Sequence, residues 1–382
     1  MAIKFKYPWI GVAIPCFLIS FIGYTAHYFI LSNYLPLYQQ VVYQLCMSMI
    51  WISYYLAIIV NPGSPSKNFK PPKHEWKNFC KKCNMYKPPR AHHCKTCGQC
   101  VLVMDHHCPW TMNCIGYNNF PHFMRFLFWV VISIGYLLTL MVKRSIYLWN
   151  IRHLPGYFIK KSELWFLAIL FQMSGFVFLT ILLLFARCIK NQVFKGMSQI
   201  EVWEMDRIES LYYRKMLMPK LLKNLQVIYK DTSIKYESEE VKYLIKNSLR
   251  MNMFEYINFP YDINPWSNAI EFLGPIYIWL SPVGVPNGDG MHFKKNDLSA
   301  YEATSSICDK LLSLPWPPDG NATIAETAAV DGFELFESAH NQEEDDEPVN
   351  KRGNNNNSNA RKNWENSWGE NLAGFGVDTE EE

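Results

Sequence analysis

The chain has 382 residues, with 37 Lys and Arg against 34 Asp and Glu, for a formal net charge of +3. So small an excess selects neither a polyanion nor an acidic substrate as partner, and function has to be read from local pattern. Aromatic residues make up 15 %, including 13 Trp, a content that fits the belts found where membrane helices meet water.

In chain order, the first apolar stretch, residues 10–29, is long enough to cross ~30 Å of hydrocarbon as a helix and contains no acidic residue. It is too long and too poorly flanked for a cleaved signal peptide, and reads as a membrane anchor. Residues 41–60 form a second such stretch, and 123–142 and 164–185 a third and fourth. Arg125 is the one strongly basic residue within them, near an end from which it can snorkel. Four crossings return both termini and the connection between spans two and three to one face. Residues 67–95 carry nine Lys or Arg and residues 31–40 none, which places that face in the cytosol, although the loop 143–161 dissents with five.

Between the second and third spans one ligand pattern occurs twice. Cys80, Cys83, His93 and Cys100 read C-x2-C-x9-H-x6-C, and a shift of fourteen positions gives Cys94, Cys97, His107 and Cys114. Three thiolates and one imidazole suit a closed tetrahedral zinc site, so the interleaved copies predict two structural Zn2+. Residues 79–120 have few aliphatic side chains, and zinc binding of roughly 10–16 kcal/mol per site is ample to hold them. A disulfide framework is disfavoured by the odd count of seven cysteines there and by the absence of a signal peptide. Reduced thiolates agree with a cytosolic face.

A third copy would begin at Cys108, but Thr111 stands where its next cysteine should be. Cys108 is therefore left over within Asp105-His106-His107-Cys108, and the register that assigns His93 and His107 to metal leaves His92 and His106 free. A thiol at its reference pKa of ~8.5 is mostly protonated at neutral pH, and a nucleophilic Cys needs a base or cation beside it. His106 is the candidate base and Asp105 the group that would orient it; the plainer reading is an accessory ligand or buried thiol with Asp105 in a turn. Location favours chemistry. The third span starts at 123, so Cys108 sits at the membrane interface, where an acyl chain can lie in hydrocarbon while its thioester meets the thiol. Thioester exchange uses that geometry: acyl-CoA acylates Cys108, which passes the group to a cysteine of a client protein. Lys87, Arg90 and the basic residues after Arg187 are candidates for CoA phosphates, although a solvated basic face near anionic lipid reads the same way.

After the fourth span, residues 187–250 mix Lys and Arg with Leu, Ile, Trp and Tyr, as in amphipathic helices near a membrane surface. Residues 272–280 are apolar but short for a span and flanked by prolines, which points to packing or an interfacial position. From Val283 onward Pro, Gly, Asn and acidic residues dominate, including Glu343-Glu344-Asp345-Asp346-Glu347, and disorder is expected. The sequon Asn321-Ala322-Thr323 would be unused on a cytosolic side. The expected architecture is an all-α polytopic membrane protein with four transmembrane helices. Residues 1–61 hold spans one and two, 62–121 the cytosolic cysteine-rich two-zinc domain, 122–187 spans three and four, 188–282 a cytosolic membrane-proximal region and 283–382 a largely disordered tail.

The stretch from Cys80 to Phe123, with Arg90-Ala91-His92-His93-Cys94, Asp105-His106-His107-Cys108-Pro109-Trp110 and Asn113-Cys114-Ile115-Gly116, resembles the cysteine-rich domain of the DHHC protein S-acyltransferases (palmitoyltransferases). The resemblance implies Cys108 as acyl-accepting nucleophile, His106 as base and Asp105 as its orienter, with palmitoyl-CoA as donor. Asn119, and Asn268 with Gly274, resemble further family elements, while the family's Thr-Thr-x-Glu appears as Ser198-Gln199-Ile200-Glu201. The whole chain, including Gly288-Asp289-Gly290, is most similar to the fungal endoplasmic-reticulum branch, which implies residence in that membrane. Implied partners are acyl-CoA, cysteine-containing membrane or membrane-associated clients and the lipid bilayer. Nucleic acid is not expected, because the zinc segment is wedged between membrane helices rather than set in a basic soluble domain. The rival reading is an autoacylated membrane scaffold without turnover, against which Asp105 and His106 argue, since a passive acceptor needs no base.

Overall fold

The computed structural model describes residues 7–153, 160–230, 238–284, 286, 288–320, 361 and 364–380. Among these, four helices are long and apolar enough to cross a membrane: α1 (Ile10–Phe29), α2 (Leu37–Ile59), α3 (Phe120–Asn150) and α4 (Lys161–Cys188). The protein is thus a multi-pass membrane protein. Pro36 caps α2 in an extended conformation, and Asn61-Pro62 ends that helix, since a residue before proline avoids the helical region. α3 outruns the apolar window 123–142 because helical hydrogen bonding continues beyond the greasy stretch, through Lys143 and Arg144. Arg144 then joins α4, with its Nε 2.6 Å from Glu163 Oε1 and its guanidinium over the Tyr34 ring. The four helices share a core in which Ile22 and Ala26 meet Tyr43 and Met47, Val130 and Leu137, and Leu167 and Leu170. Gly23 permits the closest approach, since a Cβ there would lie 2.1 Å from Met47 Cε.

The cysteine-rich region is built from three two-stranded antiparallel hairpins: β1 (Phe79–Cys80) with β2 (Met85–Tyr86), β3 (His92–Cys94) with β4 (Gln99–Val101), and β5 (His106–Cys108) with β6 (Asn113–Ile115). The second and third hairpins share one register, with His93 opposite Cys100 and His107 opposite Cys114. Asn84, Gly98 and Met112, fourteen residues apart, occupy the left-handed region at the three turns, with φ of 52°, 65° and 50°. The repeat therefore persists in the backbone a third time, although its set of three cysteines and one histidine occurs only twice.

Beyond α4 a wider helical turn, Ile189–Phe194, leads to α5 (Gln199–Tyr213), α6 (Leu217–Tyr229), α7 (Glu239–Asn247), α8 (Pro265–Leu273) and α9 (Ile307–Leu312). Leu221, Leu222 and Leu225 of α6 form a second core with Ile208, Tyr256 and Leu311. The expectation of a largely disordered tail from 283 does not hold for 288–320 and 364–380. Composition averages over the polar majority, whereas Leu311, Leu314, Leu372, Phe375 and Val377 are each buried and bind their segments to the body. The acidic run 343–347, the Asn-rich run 354–357 and the sequon at Asn321 lie outside the described residues.

Candidate active site and metal clusters

The eight repeat ligands gather into two clusters that could hold metal ions. The donor atoms of Cys80, Cys83, His93 and Cys100 lie within 4.8 Å of one another, as do those of Cys94, Cys97, His107 and Cys114. His93 Nδ1 is 3.4, 3.2 and 3.7 Å from the sulfurs of Cys80, Cys83 and Cys100. His107 Nδ1 is 3.7, 3.4 and 3.6 Å from those of Cys94, Cys97 and Cys114. A tetrahedron with metal–sulfur bonds of about 2.3 Å and metal–nitrogen bonds of about 2.0–2.1 Å has edges of about 3.6–3.8 Å, so the donor set fits Zn2+ with little adjustment. In each C-x2-C turn the later cysteine's N–H donates to the earlier sulfur, Cys83 to Cys80 and Cys97 to Cys94, both at 3.3 Å. Those bonds favour the thiolate form that a metal requires.

Cys108 occupies in the third hairpin the place that Cys80 and Cys94 hold in the first two. There Thr111 replaces the second cysteine, and its N–H and hydroxyl both donate to the Cys108 carbonyl at 3.3 Å. The left-handed turn at Met112 remains, but among the described residues no set of metal-ligand donors gathers about the Cys108 sulfur. Burial alone would push the Cys108 thiol up, but the hydrogen bond and charge of His106 outweigh it, aided by the Thr111 hydroxyl and the Trp110 N–H, and hold it below the ordinary thiol range. His106 answers in the opposite sense. Burial would lower it, yet hydrogen bonds to Asp105 and Cys108 push it up to about 10. The two shifts run in opposite senses, which favours the thiolate beside a protonated imidazole.

Asp105 is anchored from distant parts of the chain. Its Oδ2 lies 2.8 Å from His106 Nδ1, while Oδ1 accepts from Gln192 Nε2 at 2.9 Å and from the Gln199 backbone N–H at 2.7 Å. Gln199 is the first residue of α5, so the carboxylate also meets the positive end of a helix. Neither contact was legible in the sequence, since both groups lie far along the chain and amide side chains carry no ligand spacing. Asp105, His106 and Cys108 thus stand side by side, with His107 turned to the second candidate metal cluster. His92 begins β3 and stands opposite Val101 in the second hairpin, a strand apart from this group.

Ser198-Gln199-Ile200-Glu201 supplies the next layer. The Ser198 hydroxyl accepts from the Glu201 N–H, and the Glu201 carboxylate accepts from the Ser198 N–H at 2.7 Å, a capping box that fixes the start of α5. Glu201 also takes two bonds of 2.7 Å from Arg90 Nε and Nη2, and Arg90 donates to Gly196 O at 2.8 Å. The Tyr261, Phe272 and Phe293 rings close over the guanidinium at 4.9–5.2 Å. Arg90 is therefore a buried tie between the hairpins and α5, not a surface cation for CoA phosphates, and Lys87 is buried as well. Arg90→Ala should destabilise the protein by about 3–5 kcal/mol, because Glu201 is left buried and uncompensated. Thermal unfolding in detergent measures this, and Arg90→Ala with Glu201→Gln should recover part of the loss; an unshifted single variant would show the pair to be dispensable.

Three asparagines complete the frame. Asn113 Nδ2 donates to Val60 O at 2.9 Å, fastening β6 to the end of α2. Asn119 donates to Cys114 O and accepts from the Gly116 N–H, closing the turn into α3. Asn268 donates to Val193 O and Asp262 Oδ1, and Gly274 ends α8 at φ 78°.

Cys108 opens onto a cavity of about 550 Å3 that runs among the four membrane helices. Ile14 and Leu18 of α1, Met47 and Tyr54 of α2, Phe126 and Leu137 of α3, and Val177 and Leu184 of α4 line it, with Asp105, His106 and Cys108 at its mouth. The size is that of a small-molecule site, and the lining is that of a hydrocarbon site, mostly apolar, with Asp105, His106, Arg187 and Glu370 as its polar end.

A family model described as DHHC palmitoyltransferase matches residues 73–206. Over the full length of both chains the sequence is 52 % identical to the palmitoyltransferase PFA4 of Saccharomyces cerevisiae. It is 50 % identical to the proteins of that name from Eremothecium gossypii and Kluyveromyces lactis, again over the full length of each.

Proposed function

The chain belongs to the DHHC palmitoyltransferase family, and on that premise we propose that Cys108 carries the acyl group, with His106 as base and Asp105 as its orienter. The protein is a protein S-palmitoyltransferase. The donor is a long-chain acyl-CoA such as palmitoyl-CoA, and the acceptor is a cysteine of a membrane or membrane-associated client. One observation carries the assignment: Cys108 lines the apolar cavity together with His106, whose Nδ1 is held 2.8 Å from Asp105 Oδ2.

The chemistry follows from that juxtaposition. With the acyl chain in the cavity, the Cys108 thiolate attacks the thioester carbonyl carbon. A sulfur–carbon bond forms, the bond to CoA sulfur breaks, and the CoA thiolate leaves with the proton held by His106. The client thiol then gives its proton to His106 and attacks the acyl-Cys108 carbonyl, releasing Cys108 as thiolate. Thioester is exchanged for thioester, so neither half-reaction needs an outside energy source. Each buried methylene contributes ~0.8 kcal/mol, so the cavity supplies binding while the mouth supplies reactivity. Two Zn2+, one held by Cys80, Cys83, His93 and Cys100 and one by Cys94, Cys97, His107 and Cys114, would serve as structural pins for the hairpins. The hairpin face and both termini are assigned to the cytosol, on the nine basic residues of 67–95 and the need for reduced thiols, and the host membrane to the endoplasmic reticulum on the resemblance to that fungal branch alone.

Purified protein given radiolabelled palmitoyl-CoA and a cysteine-containing client peptide should take label first itself, in hydroxylamine-sensitive form, and then pass it to the peptide. Label that remains on the protein indefinitely would favour an acylated scaffold instead.

A further inference from the structure

Residues 364–380 lie outside the matched span 73–206, yet they pack on the metal-binding hairpins. The segment adds to the β3 edge through one antiparallel bridge. Lys95 N–H donates to Gly376 O at 3.0 Å, Asp378 N–H donates to His93 O at 2.8 Å, and Val377 stands opposite Cys94. Strand addition of this kind supplies directional main-chain bonds, while buried side chains supply the rest of the affinity. Here Leu372, Phe375 and Val377 are buried beside Cys94, Cys114 and Trp203. Polar pins hold the flanks: Lys82 pairs with Asp378, Arg187 with Glu370 at 3.0 Å, and Trp203 Nε1 donates to Glu370 O at 3.0 Å.

Two features bring the segment beside the reacting residues. Gly376 has φ of 86°, and a Cβ built there would lie 2.5 Å from His107 Cβ, so its backbone rests directly on the strand that carries His106 and Cys108. Phe375 lines the cavity mouth together with Cys108. We propose that the C-terminal segment is a positioning element for the acyl transfer. Through Phe375 and Gly376 it holds strand β5 in place, and in doing so it secures the second metal cluster. The inference rests on the reading that the clusters hold zinc and that Cys108 takes the acyl group. Gly376 and Phe375 touch no reacting atom and act through His107 and the wall of the mouth.

The test compares full-length wild type, Gly376→Val and Phe375→Ala with Ala373→Ser, whose side chain is exposed in the same segment. Zinc release to a chelator is followed first, with no substrate present. Both variants should release the metal about tenfold faster or more, the scale set by loss of groups that support a metal ligand, and Ala373→Ser should match wild type. Acyl labelling is then measured in zinc-replete samples at saturating palmitoyl-CoA. The rate per zinc-loaded chain should fall several-fold in Gly376→Val, a change that a segment contributing only to stability would not cause. Wild-type zinc release in both variants overturns the proposal, as does faster release with an unchanged saturating rate. Wild-type protein that itself holds no zinc or takes no label would instead refute the functional reading on which the inference stands.

Discussion

Cys108→Ser should carry no hydroxylamine-sensitive acyl label, and its transfer of palmitate to a client peptide should fall by about 100-fold or more. The reason is specific to this sulfur. Among the three knuckle positions, Cys80 and Cys94 are each surrounded by further donors within 4.8 Å, whereas Cys108 has Thr111 as the partner in its turn and His106 as the neighbour that lowers its thiol against burial. A serine hydroxyl there keeps nearly the same volume and the same cavity, but its pKa lies far above any that His106 could overcome. Any transfer that survives must pass directly from acyl-CoA to the client, with the cavity contributing proximity alone. His106→Ala should slow the labelling step without removing its target. Single-turnover labelling with rapid quench separates the two variants, and normal hydroxylamine-sensitive label on Cys108→Ser would assign the nucleophile elsewhere.

What could be read from the sequence was local. Metal ligands have to be brought together by short turns, so their spacing survives as a fourteen-residue repeat, and the unmatched Cys108 stands out against it. The membrane spans were legible for a similar reason: an apolar window such as 10–29 is a property of neighbours along the chain, and α1 occupies that same span. The supports of the site were not legible. Asp105 is held by Gln192 and by the N–H of Gln199, contacts whose partners are 87 and 94 positions away. Arg90 read as one surface cation among many because nothing nearby announces Glu201, 111 residues on, or the rings that cover it. The C-terminal segment shows the same limit in stronger form. Its composition is that of a disordered tail, and three apolar side chains, Leu372, Phe375 and Val377, suffice to seat it once Trp203 and the edge of β3 are there to receive them.

Loss of a single ligand from the second cluster should remove more than one zinc ion per chain. The interleaving makes the two sites mechanically dependent. Strand β3 gives His93 to the first cluster and the adjacent Cys94 to the second, so disorder around one metal is transmitted through a single peptide bond to the other. Structural zinc contributes roughly 10–16 kcal/mol per site, which equals or exceeds the whole folding stability of an ordinary domain, about 5–15 kcal/mol. The hairpins themselves offer two or three residues per strand and cannot replace that energy. Cys97→Ser should therefore bring bound zinc from two per chain to below one, measured by elemental analysis of purified protein. Acyl labelling of Cys108 should be lost with it, because His107 belongs to the same cluster and stands next to both His106 and Cys108. Cys83→Ser, in the first cluster, removes a ligand farther from Cys108 along the repeat and should lower zinc content in the same non-additive way, with a less complete loss of label. A variant that keeps one full equivalent of zinc and labels normally would show that the two clusters fold independently and that neither metal is needed to hold the thiol in place.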